Sequence, residues 1–126
     1  MTLSAVEAIV NALAKQIDAP QSLLPTFGRN EDGARPEVRV DAAGYHFVVI
    51  ERGKELQHKT FTMLDELLWE VFEYLTFSMA GEYEVRHRLV NQDFRIILFA
   101  KQVELLTKLS ATWATRCRAK ADRLLE

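Results

Sequence analysis

The chain has 126 residues with 48% hydrophobic and 27% charged side chains and a net charge of −2, which is typical of one globular domain and excludes a disordered chain. The single cysteine, Cys117, excludes an internal disulfide bond and fits a reducing cytoplasm. Because no apolar run approaches the ~20 residues that span a bilayer, we expect neither secretion nor membrane insertion.

The first part of the chain is predicted to be a helix followed by a long loop. Residues 4–17 place apolar side chains at helical spacing, and Ser4 with Glu7 forms a capping box at the start. Residues 21–36 contain glycine, proline and polar residues without periodicity. Loops of this length are often functional, but we expect this one to lie over the core as an apolar lid.

Residues 37–41 alternate polar and apolar side chains, residues 45–52 are apolar on both faces as in a central strand, and residues 55–61 follow a glycine turn, which together predict a three-stranded antiparallel meander. Gly44 supplies the positive φ of the first tight turn, and Gly53-Lys54 is predicted to be the two-residue second turn. With that turn, Val49 lies opposite His58 and Phe61 opposite His46, so the two strand histidines would not be neighbours.

From Thr62 the apolar period changes from two to 3.6, which predicts a helix capped by Thr62 and ended by Gly81. Residues 82–90 are ambiguous and are assigned to a connector. Asn91 is predicted to cap one continuous last helix of about 33 residues. The predicted fold is therefore α+β: an N-terminal helix, the meander, and two long helices packed on the sheet within a single domain, residues 1–126.

Catalytic chemistry finds little support in the residue pattern. The three histidines are scattered, and neither a phosphate-binding glycine loop nor a zinc-ligand spacing occurs. Glu51 with Asp93 could form a carboxylate pair, but charged residues beside a turn and a helix start are more often structural. We therefore expect no enzymatic activity, no metal and no cofactor, and the pI near 5.9 argues against nucleic-acid binding.

The second helix carries the first candidate surface for a partner. A wheel at 100° per residue groups acidic and aromatic side chains opposite the core stripe: Glu66, Glu70, Glu73 and Phe77, with Trp69 and Tyr74 beside them. Aromatic residues anchor interfaces, and carboxylates attract a cationic partner. The alternative is packing against the last helix, because residues 85–126 carry 9 basic and 4 acidic side chains.

Two further pairs of charged residues are candidates. Glu51 and Arg52 stand at the predicted hairpin turn and are candidate partner contacts. Arg95 falls on the apolar side of the last helix, where it needs a counter-ion, and Glu51 is one candidate. Asp93 favours the N-terminus of that helix. Asp93 and Arg95 are thus expected to form a structural ion pair or a partner contact.

Short motifs are spread over most of residues 24–125. They are Leu24-Pro25-Thr26-Phe27-Gly28, Arg35-Pro36, Val40-Asp41, Gly44-Tyr45-His46, Glu51-Arg52-Gly53-Lys54-Glu55, Asp65-Glu66-Leu67-Leu68-Trp69, Phe72, Met79-Ala80, His87-Arg88, Asp93-Phe94-Arg95, Phe99, Gln102, Leu105-Leu106 and Trp113. In these motifs the chain resembles immunity-protein family sixty-three of bacterial polymorphic toxin systems.

The resemblance implies a cytoplasmic protein that binds the C-terminal domain of a cognate toxin and protects the producing cell by occlusion. Such toxins include nucleases, whose basic clefts would suit the acidic face of the second helix. A monomer is favoured. An alternative resemblance is to type III secretion chaperones, which would need a second pair of strands within residues 82–100, whereas the immunity reading expects helix from about Asn91.

Overall fold

The computed structural model describes all 126 residues and confirms the α+β class. A short 3-10 turn, Gln21–Leu23, follows the first helix. The helices are α1 (Leu3–Gln16), α2 (Leu64–Arg86), α3 (Phe94–Thr107) and α4 (Ala111–Leu125), and the strands are β1 (Thr26–Phe27), β2 (Glu37–Asp41), β3 (Gly44–Glu51) and β4 (Lys54–Phe61). None of the helices is long and apolar enough to cross a membrane.

The residues group into two compact units, Met1–Val71 and Phe72–Glu126. The first contains α1, the sheet and the start of α2, and the second contains the rest of α2 with α3 and α4. The expectation of one domain over residues 1–126, with helices packed on the sheet, stays a prediction.

The sheet has four strands in the order β1-β2-β3-β4, so the predicted three-stranded meander was incomplete. The added strand β1 lies in the segment predicted to be a loop, and it pairs in parallel with β2. The Thr26 N–H donates to the Pro36 carbonyl at 2.9 Å and the Gly28 N–H to the Val38 carbonyl at 3.0 Å. A two-residue strand shows no alternation, which is why the sequence pattern missed it.

The second hairpin turn is Arg52-Gly53, one residue earlier than predicted. Glu51 pairs with Lys54, and both turn residues have positive φ, 55° for Arg52 and 74° for Gly53, as a type I′ turn requires. A bulge between Val49 and Ile50 leaves Leu56 unpaired. The register then places His46 opposite Thr60 and Val48 opposite His58. His46 and His58 therefore share one face of the sheet, and the prediction that they are not neighbours was wrong.

The two faces of the sheet differ in polarity. One face carries Val38, Phe47 and Val49, which are buried in the core of the first unit. The opposite face carries a largely polar set: Glu37, Arg39, Asp41, His46, Val48, His58 and Thr60. Glu37, His46 and Val48 on this face are buried, and Arg39 compensates the buried charge of Glu37 by donating to both carboxylate oxygens, at 2.9 and 3.1 Å.

The helix boundaries correct several predictions. Helix α1 begins at Leu3, and its cap is Thr2, whose Oγ1 accepts the Ala5 N–H at 3.1 Å. Helix α2 begins at Leu64, two residues after Thr62, and continues through Gly81 to Arg86. Because glycine only weakens a helix by about 1 kcal/mol, packing of the surrounding residues can carry the helix past it. Residues 82–100 contain helix and a connection but no strand pair, unlike the predicted chaperone.

The predicted continuous last helix is two helices. The first, α3, is capped by Asp93 rather than Asn91, and Asp93 accepts the Arg95 N–H at 3.0 Å. The second, α4, is capped by Ser110, whose hydroxyl accepts the Trp113 N–H at 3.2 Å. A serine that competes for backbone hydrogen bonds favours such a break. Within this second unit, the rings of Phe72 and Trp113 stack at 5.8 Å.

Candidate functional site

The tip of the β3–β4 hairpin is held from outside by the loop that precedes β2. The Asp32 carboxylate accepts the Gly53 N–H at 2.6 Å, and the Asp32 carbonyl accepts the Arg52 N–H at 3.3 Å. The Ala34 N–H donates to the Ile50 carbonyl at 2.9 Å. Glu51 and Arg52 are exposed on this tip. The bonds fix their backbone, so two charged side chains project from a rigid turn.

The first turns of α2 place three of the sequence-predicted contacts in different environments. Trp69 is only 4% exposed and belongs to the core of the first unit. Glu70 accepts hydrogen bonds from Lys59 at 2.7 Å and from Gln57 at 3.4 Å. Glu66 is half-buried. The helix wheel placed Trp69 beside the acidic side of α2, and it could show neither that Trp69 is buried nor that β4 provides a cation for Glu70.

The later turns of α2 carry the other two predicted contacts. Glu73 accepts a charge-assisted hydrogen bond from Lys120 of α4 at 2.7 Å. Phe77 is about half exposed. The pairing of Glu73 with Lys120 agrees with the packing alternative, in which acidic residues of this helix face the basic last helix. The negative charge of Glu73 is therefore already compensated within the second unit.

Asp93 and Arg95 form one compact ion pair at the start of α3. The guanidinium Nη2 lies 2.8 Å from Asp93 Oδ2, and Nη1 donates to the Leu124 carbonyl at 3.0 Å. The counter-ion of Arg95 is therefore its near neighbour Asp93, and not Glu51, which was one candidate. Hydrogen bonds from Arg95 lower the pKa of the Asp93 carboxyl. The pair joins the start of α3 to the end of α4, which is a structural role.

The polar face of the sheet contains a hydrogen-bonded chain that the sequence reasoning missed. Asp41 Oδ1 lies 2.8 Å from His46 Nε2, and His46 Nδ1 lies 3.0 Å from His58 Nε2. His58 Nδ1 lies 3.3 Å from Glu55 Oε1, and the Thr60 hydroxyl lies 3.0 Å from His46 Nδ1. The bond to His46 lowers the pKa of Asp41. The predicted register differed from the observed one by one residue and put His46 and His58 on opposite faces of the sheet, which concealed this hydrogen-bonded chain.

A scan against family models supplies the deciding comparison. The family described as Immunity protein 63 matches residues 41–123. The chain belongs to this immunity-protein family. The chain has no match among curated proteins and none among solved structures.

The matched range of this immunity protein includes some candidate residues and excludes others. It runs from the end of β2 to near the end of α4 and covers Glu51, Arg52, Asp93, Arg95 and the whole of α2. It does not cover Asp32, which supports the hairpin tip, or Glu37 and Arg39 on the polar face. The hairpin tip therefore lies within the residues that the family model matches, whereas Asp32, which holds the tip, lies outside them.

The connection between α2 and α3 exposes a group of large apolar side chains that we name the apolar cap: Val85, Leu89, Val90, Phe94 and Ile96. Val90 is 88% exposed and Phe94 50% exposed. Scattered exposed apolar residues are ordinary, whereas five within 12 positions are a local concentration of exposed apolar side chains. The sequence signal was present in the ambiguous residues 82–90, whose apolar side chains were assigned to a connector.

No group of three or more histidine, cysteine or carboxylate side chains is arranged to hold a metal ion. Cys117 is buried, and burial raises the pKa of its thiol to about 11. What the arrangement offers chemically is a set of preformed surfaces. These are a braced charged hairpin tip, a polar sheet face and an apolar cap.

Proposed function

We propose that this chain is an immunity protein that binds the C-terminal domain of a cognate toxin and neutralises it by stoichiometric occlusion. Membership of the Immunity protein 63 family is the observation that carries the proposal. Occlusion requires a surface that is formed before the partner arrives, because binding then costs less conformational entropy. The hydrogen bonds that the Arg52 and Gly53 N–H groups donate to Asp32 support such a surface at the hairpin tip.

The proposal places the protein in the cytoplasm of the producing cell as a monomer without catalytic turnover. Its action then depends on affinity and residence time, which for protein complexes are set mostly by the dissociation rate. A nuclease is one candidate toxin, because an acidic inhibitor surface complements a basic substrate cleft. The first unit contains 11 acidic and 7 basic residues, which agrees with that choice.

The contact residues we propose are those that the sequence indicated, weighted by their surroundings. Glu51 and Arg52 are exposed and held on a rigid turn, so they are the strongest of the set. Phe77 is exposed and Glu66 half-buried. Glu70 and Glu73 would have to exchange Lys59 and Lys120 for toxin cations, which reduces their net contribution. Trp69 would contribute only by supporting its neighbours from the core.

Co-expression with the toxin domain encoded by the adjacent upstream reading frame tests the function. We expect a complex of one toxin domain to one immunity protein on size-exclusion chromatography, and rescue of growth in cells that express the toxin. Growth arrest despite full expression of the folded immunity protein would disprove the proposal. Turnover of a small substrate by the isolated protein would reject the non-enzymatic mechanism.

A charge-reversal pair at the hairpin tip tests the proposed contact residues. Glu51→Lys and Arg52→Glu change exposed side chains whose backbone is held by the neighbouring loop, so the fold should be retained. If the tip contacts the toxin, at least one of the two variants raises the Kd by about tenfold or more. Glu7→Lys, an exposed change on α1, is the matched control. Equal affinity of all three variants would remove the tip from the interface.

A further inference from the structure

Two imidazole rings on the polar face of the sheet each direct one nitrogen at the other. His46 Nδ1 lies 3.0 Å from His58 Nε2, and the ring centres are 5.1 Å apart with 70° between the ring planes. His46 belongs to β3 and His58 to β4, and the backbone pairing of these strands fixes the register of both residues. The two nitrogens are therefore brought together by the sheet itself.

The outer nitrogen of each ring is bound to a carboxylate. His46 Nε2 lies 2.8 Å from Asp41 Oδ1, and His58 Nδ1 lies 3.3 Å from Glu55 Oε1. A neutral imidazole carries one N–H, and an ionised carboxylate can only accept it. When both rings donate outward in this way, both inner nitrogens are acceptors that face each other. A cation that takes up both lone pairs satisfies this arrangement.

The order of groups in this chain is the one found around metal ions that histidine binds. A metal-binding histidine donates its second ring N–H to a carboxylate or a carbonyl, which fixes the tautomer and the ring orientation. Two nitrogens that bind one Zn²⁺ in tetrahedral geometry, at about 2.0–2.1 Å each, are about 3.3 Å apart. The inner nitrogens of His46 and His58 are 3.0 Å apart, so a small rotation of the rings would admit the ion.

The charges on this face of the sheet favour a cation. The strand residues of this face include three carboxylates and one guanidinium, which gives a net charge of −2: Glu37, Asp41, Glu55 and Arg39. The guanidinium of Arg39 donates to both oxygens of Glu37, so its charge is largely compensated there. The two carboxylates behind the imidazole rings thus supply the negative charge that a divalent ion requires.

The pair supplies two ligands, whereas most zinc sites have three or four protein ligands. His58 is exposed, so water can reach the pair and complete the coordination. The Thr60 hydroxyl, 3.0 Å from His46 Nδ1, is placed to bond such a water. Imidazole nitrogen suits Zn²⁺, Cu²⁺ and Ni²⁺, while Mg²⁺ and Ca²⁺ prefer oxygen ligands. Binding should therefore be reversible and selective for late transition metals.

We propose that His46 Nδ1 and His58 Nε2 bind one divalent late transition-metal ion, such as Zn²⁺, with Asp41 and Glu55 holding the two rings from behind. The ion would cross-link β3 and β4 on the polar face of the sheet. The inference goes beyond the proposed function and does not depend on it, because both metal ligands come from this chain.

Addition of Zn²⁺ to the purified, metal-free protein tests the inference. We expect calorimetry to show one Zn²⁺ bound per chain and the melting temperature to rise with the Zn²⁺ concentration, because the ligand pair exists only in the folded state. Mg²⁺ should change neither result. His58→Ala should remove the binding, whereas His87→Ala, at an exposed histidine outside the pair, is the matched control and should retain it. Asp41→Asn should raise the Kd about tenfold or more.

Nitrogen NMR of the imidazole rings identifies the ligand atoms in the unchanged protein. Zn²⁺ should shift the signals of His46 Nδ1 and His58 Nε2, while the outer nitrogen of each ring keeps its proton. The inference is overturned if the folded protein binds no Zn²⁺, if His58→Ala binds it as tightly as the unchanged protein, or if only the signals of His87 shift. None of these measurements involves the toxin, so their failure would leave the proposed function intact.

Discussion

His46 Nδ1 lies 3.0 Å from His58 Nε2, within a chain that begins at Asp41 and ends at Glu55. A hydrogen bond between two ring nitrogens needs one proton, and each outer nitrogen needs its own proton to donate to a carboxylate. The chain joins side chains of β2, β3 and β4 across one face of the sheet.

We expect His46→Ala to lower the free energy of unfolding by about 2 kcal/mol, because His46 is only 7% exposed and its loss leaves Thr60, His58 and Asp41 without their partner. Urea unfolding at neutral pH measures this change. His87→Ala is the control, since His87 is exposed and its side chain contacts only Tyr83, by stacking and by a 2.8 Å hydrogen bond from Nδ1 to the Tyr83 carbonyl. An equal stability of the two variants would show that the chain adds nothing to the fold.

Three glycines should respond differently to alanine. Gly44 has φ of 129°, and an added Cβ would collide with the Phe61 carbonyl oxygen, so Gly44→Ala should cost more than about 2 kcal/mol. Gly53 has φ of 74° but open space around it, so only the backbone cost of about 1 kcal/mol remains. Gly81 lies inside α2 with open space, so Gly81→Ala should stabilise the protein by about 1 kcal/mol.

Thermal unfolding of the three variants gives the order of stability directly. The expected order places Gly81→Ala above the unchanged protein, Gly53→Ala below it and Gly44→Ala lowest. A Gly44→Ala variant as stable as the Gly53→Ala variant would contradict the close approach of β4 to this turn.

Cys117 should be inert toward thiol reagents while the protein is folded. Its side chain is buried in α4, and burial raises the pKa of the thiol to about 11, so very little thiolate exists near neutral pH. We expect reaction with Ellman's reagent only after urea unfolding, with a rate that follows the loss of helical circular dichroism. Rapid reaction in native buffer would mean that α4 opens far more easily than its packing indicates.

Acid should destabilise the fold partly through Glu84. Hydrogen bonds from Arg88 lower the pKa of Glu84 below its ordinary value of 4.5, although burial opposes the shift. Because the folded-state pKa is depressed, the stabilisation is present above 4.5 and is lost as the pH falls through the folded-state pKa. Glu84→Gln should therefore lose less stability than the unchanged protein between neutral pH and about pH 3.

Urea unfolding at both pH values checks the effect. Glu82→Gln is the matched control, because Glu82 is exposed on the same helix without an arginine partner. A pH dependence unaltered by Glu84→Gln but reduced by Glu82→Gln would reverse the assignment.

The elements of the fold were largely predictable because their signals are local. Alternation identified β2, an apolar run identified β3 and the glycine turn before it identified β4, while helical spacing identified α1 and most of α2. Register was less accessible, because it depends on which residues occupy the turn. An arginine at φ of 55° in the Arg52-Gly53 turn is less expected than a glycine in first position. The earlier turn alone would still leave His46 and His58 on opposite faces, so the bulge between Val49 and Ile50, which brings them to one face, is what concealed their contact.

The candidate site was less predictable than the fold. The wheel placed Glu70 and Glu73 on one side of α2, but Lys59 and Lys120 come from segments distant in the sequence, and a wheel cannot identify them. Arg95 likewise required a partner, and the nearest carboxylate, Asp93, was two residues away. The break at Ser110 was visible as a capping serine, but the apolar spacing continues across it and obscured the break.

Strand β4 is at the end of the sheet, so one of its two backbone edges has no strand beside it. Along such a strand every second amide hydrogen points toward β3 and the others point away. In deuterated buffer the outward amides should exchange quickly and the inward ones slowly. Leu56 has no partner in β3, so the alternation is interrupted there. Every second amide should exchange slowly on each side of Leu56, but the slow positions should shift by one residue across it. Exchange rates along β4 would thus report, residue by residue, which amides point toward β3 and where the bulge changes the register.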